Sequence, residues 1–341
     1  MHLPRFILLQ PKSLNEAIEL LAESGPRAKL VAGGTDLFPR MKYRISLPEA
    51  VVTLKGLPVR DPELTADGVL SLDSLMPLAQ VVRSKVICDA APIIADAADR
   101  VGSNQIRHMA TVGGNLCQEV RCLYFNQSHS FQFVEPCFKR NGDMCYMFPK
   151  GRRCHAVFMS DLAPVLVCLD AELEIASVEN RRSIRAAELY SGDPLRPFHL
   201  SDGDMVTGIS VHLPKGSWGW AFEKLSLRGG LEFAILSVAV ILETDDDDET
   251  CTRARIAVGA VSPAPLRARK AEGILNKSKL SEDLFRAAAQ QVSTEIAPAP
   301  HHGFTMQYVR KALEVKALDA LNLAMRRVAG HGEHVFSAGR F

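Results

Sequence analysis

Five of the eight cysteines, Cys117, Cys122, Cys137, Cys145 and Cys154, fall between a Gly-rich motif, Thr111-Val112-Gly113-Gly114-Asn115, and the segment Ser160-Asp161-Leu162-Ala163-Pro164. The residues between them show little helical or strand periodicity. A stretch this long without regular structure is uncommon inside a compact domain unless something binds in it. Any fold for this chain has to hold a Cys-rich loop between two regular parts.

With 341 residues the chain is long enough for two or three domains and a sizeable core. Net charge is +1, which leaves no electrostatic footprint for nucleic acid. The longest apolar stretch, Phe233–Leu242, is about half a membrane span. Met1-His2-Leu3-Pro4-Arg5 opens no signal-peptide pattern, which implies a cytoplasmic protein without a membrane segment. In a reducing cytoplasm the cysteines are not expected to pair as disulfides. Cys88, Cys168 and Cys251 are scattered, and Cys168 reads as a small buried hydrophobe in the run Val165–Leu169.

Along the chain, Phe6–Leu9 reads as a short buried strand. Ser13-Leu14-Asn15-Glu16 is a capping box opening a helix that ends near Gly25-Pro26. Lys29–Ala32 is a second strand. It stops at Gly33-Gly34-Thr35-Asp36, where two glycines allow close approach of a ligand and successive amides can form an anion nest. The pattern is neither G-x-G-x-x-G nor a P-loop. A short helix over Leu37–Lys42 and a strand over Val51–Leu54 complete a β-α-β-turn-β unit. Asp89–Val101 has the spacing of one helix. Thr111–Asn115 reads as a second Gly-Gly turn, so that two nests could grip one diphosphate. Pro164–Leu169 reads as a buried strand, Leu173–Ala176 as a half-exposed one, and Ile209–Val211 as another. After Pro214–Ser217 come three strands, Trp218–Leu225, Ala234–Leu242 and Ala254–Val261, then helices over Pro265–Leu275, Ser281–Ile296 and Gln307–Ala329. The acidic run Asp245–Glu249 reads as a solvated hairpin loop.

The gaps between Cys122, Cys137, Cys145 and Cys154 match neither the close pairs of structural zinc nor a ferredoxin run. Spacing alone leaves a metal cluster, zinc and free thiols open. Lys139, Arg140, Lys150, Arg152 and Arg153 surround these cysteines, and cations stabilise an anionic thiolate-ligated cluster. His129 and His155 are taken as spectators.

Ala32-Gly33-Gly34-Thr35-Asp36 with Met41-Lys42, Ile106-Arg107, Ala110–Asn115, Asp161 with Pro164, and Lys224 with Arg228 together resemble the FAD-binding medium subunit of the molybdenum hydroxylases, the xanthine dehydrogenase family. Arg121–Ser128 with Cys137, Cys145 and Cys154 resembles the insertion of the 4-hydroxybenzoyl-CoA reductase beta subunits, in which four cysteines bind a [4Fe-4S] cluster. His129-Ser130-Phe131 departs from that pattern.

The resemblance implies an α+β chain. Residues 1–215 would form a two-part FAD-binding domain of the PCMH/vanillyl-alcohol-oxidase type, with subdomains 1–56 and 57–215 and the cluster insertion at 117–156. Residues 216–330 would form a C-terminal domain of a three-stranded antiparallel sheet with helices, followed by a tail at 331–341. FAD would lie on Lys29, Leu30, Val31, Ala32, Gly33, Gly34, Thr35, Asp36 and Leu37, and on Thr111, Val112, Gly113, Gly114 and Asn115. Val101 and Val206 would pack near the flavin, Asp161 would hydrogen-bond it, and Lys224 would sit at the isoalloxazine edge. Cys122, Cys137, Cys145 and Cys154 would hold the cluster, with Cys117 left out. The implied partners are a molybdopterin-binding large subunit, a small subunit with two [2Fe-2S] clusters, and a ferredoxin or similar carrier, assembled as a dimer of heterotrimers. Substrate chemistry would take place on the large subunit, so no catalytic residue is expected here. The implied reaction is reductive dehydroxylation of an aromatic acyl-CoA. The alternatives are an oxidative aldehyde or N-heterocycle dehydrogenase, and a zinc-stapled nucleotide-binding scaffold.

Overall fold

Ser13 starts the first helix as expected: its hydroxyl accepts from the Glu16 amide, while the Glu16 carboxylate accepts from Lys12 rather than from Ser13. This is a computed structural model, and it describes residues 2–127, 135–148, 150–229, 232–299, 301 and 303–328. His129, Ser130, Phe131, the end of the last helix at Ala329 and the tail 331–341 lie outside the described residues.

The N-terminal part is a parallel three-stranded sheet in the order β1 (Ile7–Leu9), β3 (Ala50–Thr53), β2 (Ala28–Val31), with α1 (Leu14–Ser24) packed on it. β1 is not buried. Ile7 and Leu8 are exposed, because β1 is an edge strand and the helix covers the other two. β2 runs into α2 (Leu37–Lys42) through the first Gly-Gly turn.

A second sheet is antiparallel, in the order β4 (Glu63–Leu64), β5 (Val69–Asp73), β8 (Met205–His212), β6 (Glu172–Ala176), β7 (Arg181–Arg185). In the core it shares lie α3 (Leu78–Arg83), α4 (Lys85–Ala90), α5 (Pro92–Asp99), α7 (Val112–Leu116) and α8 (Leu162–Cys168), while α6 (Asn104–Met109) lies on α3.

Three expectations are corrected here. The helix expected over Asp89–Val101 is two helices, because Pro92 has no N–H to continue α4 and instead starts α5. The run Pro164–Leu169 is not a strand but α8, whose every residue is buried. A fully apolar run carries no period that separates a buried strand from a buried helix. The Gly113-Gly114 pair is not a strand-terminal turn. It lies inside α7, whose N-cap is the Thr111 hydroxyl accepting from the Gly114 amide at 3.1 Å.

In the C-terminal part, β9 (Trp218–Leu225), β10 (Leu236–Thr244) and β11 (Thr250–Gly259) form the expected antiparallel sheet, extended by the two-residue strands β12 (Leu266–Arg267) and β13 (Ser278–Lys279). Alternation sorts its side chains. Ala221, Val238, Val240, Ile256 and Val258 face α9 (Arg269–Leu275), α10 (Glu282–Glu295) and α11 (Met306–Val328). Trp220, Phe222, Ala239, Ile241 and Ala257 face the core that contains α8. The acidic run Asp245–Glu249 is the β10–β11 hairpin loop, with the Asp245 carboxylate accepting from the Glu249 and Thr250 amides. Mixed sheets and helices make the chain α+β. Among the described residues no helix is long and apolar enough to cross a membrane.

Candidate functional site

The end of β2 and the start of α2 form one wall of a groove of about 880 Å3, lined by Lys29, Leu30, Val31, Ala32, Gly33, Gly34, Thr35, Asp36 and Leu37. Thr111, Gly113 and Gly114 form the facing wall, and Val206 of β8 lies in the same lining. The two glycine motifs meet because only glycine fits between them: a Cβ on Gly33 would stand 1.7 Å from the Met109 carbonyl oxygen. Gly34 takes φ +71°, the left-handed region.

The two motifs differ in what they offer a ligand. The N–H groups of Gly33, Gly34, Thr35 and Asp36 donate to no acceptor among the described residues, so this turn can receive an anion. The amides of Val112, Gly113, Gly114 and Asn115 are already satisfied by the Met76 and Ser74 carbonyls, the Thr111 hydroxyl and the Thr111 carbonyl. The expected pair of nests is therefore one nest and one smooth wall. Gly113 is small because Ser74 lies behind it, 2.9 Å from where a Cβ would be.

The groove continues into a cavity of about 920 Å3, with which it shares Thr35, Asp36, Gly114 and Gln118. Val101, Asn115 and Asp161 line this second space. Asn115 shapes it: its Oδ1 accepts from the Ser160 hydroxyl at 2.6 Å and from the Leu162 amide at 3.3 Å, which fixes the turn carrying Asp161. Asp161 is 4 % exposed. Burial pushes its carboxyl up from the ordinary range, while Lys224 and Arg100 oppose that shift. Lys224 lines neither space. Its Nζ lies 2.7 Å from Asp161 Oδ2 and donates to the Arg100 carbonyl at 2.7 Å, so it reaches the cavity only through Asp161. Val112 does not face the groove either and packs in the core. The other expected residues are brought together.

Sequence reading missed Arg40, Gln118, Glu119, Arg121 and Phe233. Asp36 accepts from Arg40 at 3.4 Å, from the Glu119 amide at 3.3 Å, and from Arg121. Glu119 in turn pairs with Arg40 at 3.2 Å and Lys139 at 3.1 Å. The Arg40 link had a local signal, the i, i+4 spacing from Asp36 at the start of α2. The others join distant segments and had none.

The four cysteines chosen from the sequence line a single tight hollow. Cys137, Cys145 and Cys154 are buried and Cys122 is half-buried. The loop is shaped by its own backbone. The Cys122 amide donates to Asn126 Oδ1 at 2.8 Å, and the Cys137 carbonyl accepts from Arg140 and Gly142. A Cβ on Gly142 would overlap the Pro136 carbonyl oxygen at 1.6 Å. Burial pushes the Cys154 thiol up to about 11, and the Cys122, Cys145 and Cys137 sulfurs add to the shift. Burial likewise raises Cys122. Cys117 lines the groove instead of the hollow, and burial pushes its thiol up to about 12. Among the described residues no three His, Cys, Asp or Glu side chains are gathered as a single metal ion requires.

The basic residues split into two sets. Lys139 and Arg140 are loop staples: Lys139 is 7 % exposed and tied to Glu119, and Arg140 donates to the Phe125 and Gln127 carbonyls. Lys150, Arg152 and Arg153 are exposed. His155 packs against Phe148 in a tilted arrangement, with ring centroids 4.3 Å apart.

Residues 4–215 match the FAD binding domain in molybdopterin dehydrogenase, and residues 220–322 match the CO dehydrogenase flavoprotein C-terminal domain. The 6-hydroxypseudooxynicotine dehydrogenase complex subunit alpha of Paenarthrobacter nicotinovorans is 29 % identical, over 94 % of this chain and 96 % of that protein. The aldehyde oxidoreductase FAD-binding subunit PaoB of Escherichia coli is 29 % identical over 79 % of this chain and 86 % of its own length. Among solved structures, reconstituted CO dehydrogenase from Oligotropha carboxidovorans superposes with a TM-score of 0.79 at 25 % identity, covering 96 % of this chain and all of that one. The chain therefore belongs to the FAD-binding flavoprotein subunits of the molybdopterin dehydrogenase family.

Proposed function

We propose that this chain is the electron-transfer subunit of a molybdenum hydroxylase-type complex and that it carries a [4Fe-4S] cluster beside its FAD. The observation that carries the reading is the meeting of Cys122, Cys137, Cys145 and Cys154 around one hollow, in a chain whose two glycine motifs wall a groove. When bound, the flavin and the cluster supply one- and two-electron chemistry, which side chains lack. The free amides of residues 33–36 would hold the FAD diphosphate. Thr111, Gly113 and Gly114 would give it a close, flat wall, and Val101 and Val206 would line the walls of its two connected spaces. Asn115 and Asp161 would bind its hydroxyls, with Lys224 as the counter-ion of Asp161.

The partners in this reading are a molybdopterin-binding subunit, where substrate reacts, and a small subunit with two [2Fe-2S] clusters, in a dimer of heterotrimers. The finer reading is reductive dehydroxylation of an aromatic acyl-CoA such as 4-hydroxybenzoyl-CoA, fed by a ferredoxin in the cytoplasm. The cysteine gaps and the Arg121–Ser128 segment support it. A second reading, outward electron flow from an aldehyde or N-heterocycle, is favoured by the relatives, which are named as a dehydrogenase, an aldehyde oxidoreductase and a nicotine hydroxylase.

Metal and flavin analysis of the purified protein is the test. About four iron and one FAD are expected per chain, and Cys122→Ser is expected to lose iron and keep flavin. Colourless protein with one zinc would overturn the reading in favour of a zinc-stapled scaffold. In the assembled complex, bleaching of the flavin by reduced ferredoxin supports inward flow, and bleaching by an aldehyde supports outward flow.

A further inference from the structure

Arg121 stands where the flavin groove and the cysteine loop adjoin. It lines the cavity that contains Asp161. It also lines a neighbouring space of about 740 Å3 that contains Cys122 and His155. The next residue in the chain is Cys122. Its guanidinium is fixed from two sides, paired with Asp36 and lying over the Phe233 ring at 4.6 Å. Its main chain is fixed as well, by two hydrogen bonds with Val157 at 2.7 and 2.9 Å. The side chain is 19 % exposed, and its Nε has no hydrogen-bond partner among the described residues. Arg121, Arg40 and Lys139 face only two carboxylates, Asp36 and Glu119, so the network keeps one net positive charge. A fixed, poorly hydrated cation acts on its surroundings far more strongly than one in water.

Resting on the flavin and four-cysteine reading above, we infer that Arg121 is a positioning cation shared by both redox sites, holding the potentials of the flavin and the cluster up together. Reduction adds negative charge at either place, and a cation between them favours the reduced form of each. Asp36 and Phe233 keep that charge in place: Asp36 anchors Arg121 to the Gly-Gly turn, and the Phe233 ring covers one face of its guanidinium.

The test is redox titration of the holoprotein, following the flavin by absorbance and the cluster by electron paramagnetic resonance. Arg121→Gln is expected to lower both midpoint potentials, and Arg121→Lys to restore most of each shift. Phe233→Leu, at an exposed position, is expected to move both in the same direction by less. Arg152→Gln, which changes an exposed cation on the cysteine loop, is expected to leave the flavin potential where it was. Should Arg121→Gln fail to fold, Phe233→Leu still decides. Unmoved potentials in Arg121→Gln or Phe233→Leu, or a shift in one group alone, overturn the inference. Wild-type protein with FAD but no iron overturns the four-cysteine reading, and this inference with it. Wild-type protein with both groups and unshifted variants overturns this inference alone.

Discussion

The Lys224 ammonium and the Asp161 carboxylate lie 2.7 Å apart, with side chains only 5 % and 6 % exposed, and they join a strand of the C-terminal sheet to the turn before α8. Neither charge is well placed without the other. Lys224→Met leaves a buried, uncompensated carboxylate, and the expected loss is about 3–5 kcal/mol of stability. Lys224→Met with Asp161→Asn is expected to recover part of it. Denaturant unfolding of the flavin-free forms measures both. A Lys224→Met protein as stable as wild type would show that the pair does not hold the domains together.

Gly33 tests the close approach of the two glycine motifs. Gly33→Ala puts a methyl group into the Met109 carbonyl, and backbone cannot yield as a side chain can. A loss of at least about 1–3 kcal/mol is expected, together with weaker flavin retention on gel filtration. Gly273→Ala in α9, where a Cβ meets nothing within 4 Å, is expected to gain about 0.5–1 kcal/mol.

Acid stability follows from Asp204. Burial raises its carboxyl, but two hydrogen bonds from Arg182, at 3.1 and 2.7 Å, and one from the Ser201 amide outweigh that and hold it below the usual range. A carboxyl with a depressed folded-state pKa stabilises above its unfolded value and loses that contribution as pH falls through the folded one. The window therefore lies below the ordinary value of 3.8. Wild-type stability is expected to fall more steeply than that of Asp204→Asn across this window, as measured by denaturant midpoints at successive pH values.

Lys150, Arg152 and Arg153 form the exposed basic face of the cysteine loop. If an acidic ferredoxin docks there, its apparent affinity falls as ionic strength rises, and replacing the three by Gln weakens the salt dependence. A rate of reduction by ferredoxin that is independent of salt would count against this face as the docking site.

Local signals carried the first Gly-Gly turn, the capped helix α1 and the C-terminal strand order. Each rests on neighbours in the sequence: a glycine pair at a strand's end, a cap three residues away, alternation along a strand. What escaped was decided by distant packing. The apolar run that becomes α8 is wrapped by the second sheet and the C-terminal sheet, and nothing within it states which element it forms. Gly113-Gly114 looked like the first pair, but Thr111 caps it and Ser74 takes its amide, so it became helix. Phe233 and Arg121 meet only once both domains are folded.

The reciprocal hydrogen bonds between Arg121 and Val157 close the neck of the cysteine loop. Cys154 and Ala156, just inside the neck, belong to the same core as Val120 and Phe158 on either side of it, and Cys122 packs against that core. Such a loop is modular in the genetic sense. Excising residues 123–153 and joining Cys122 to Cys154 with a tight turn keeps those core residues and should return a plain flavoprotein, and grafting the same stretch between the matching residues of a relative should transplant the loop.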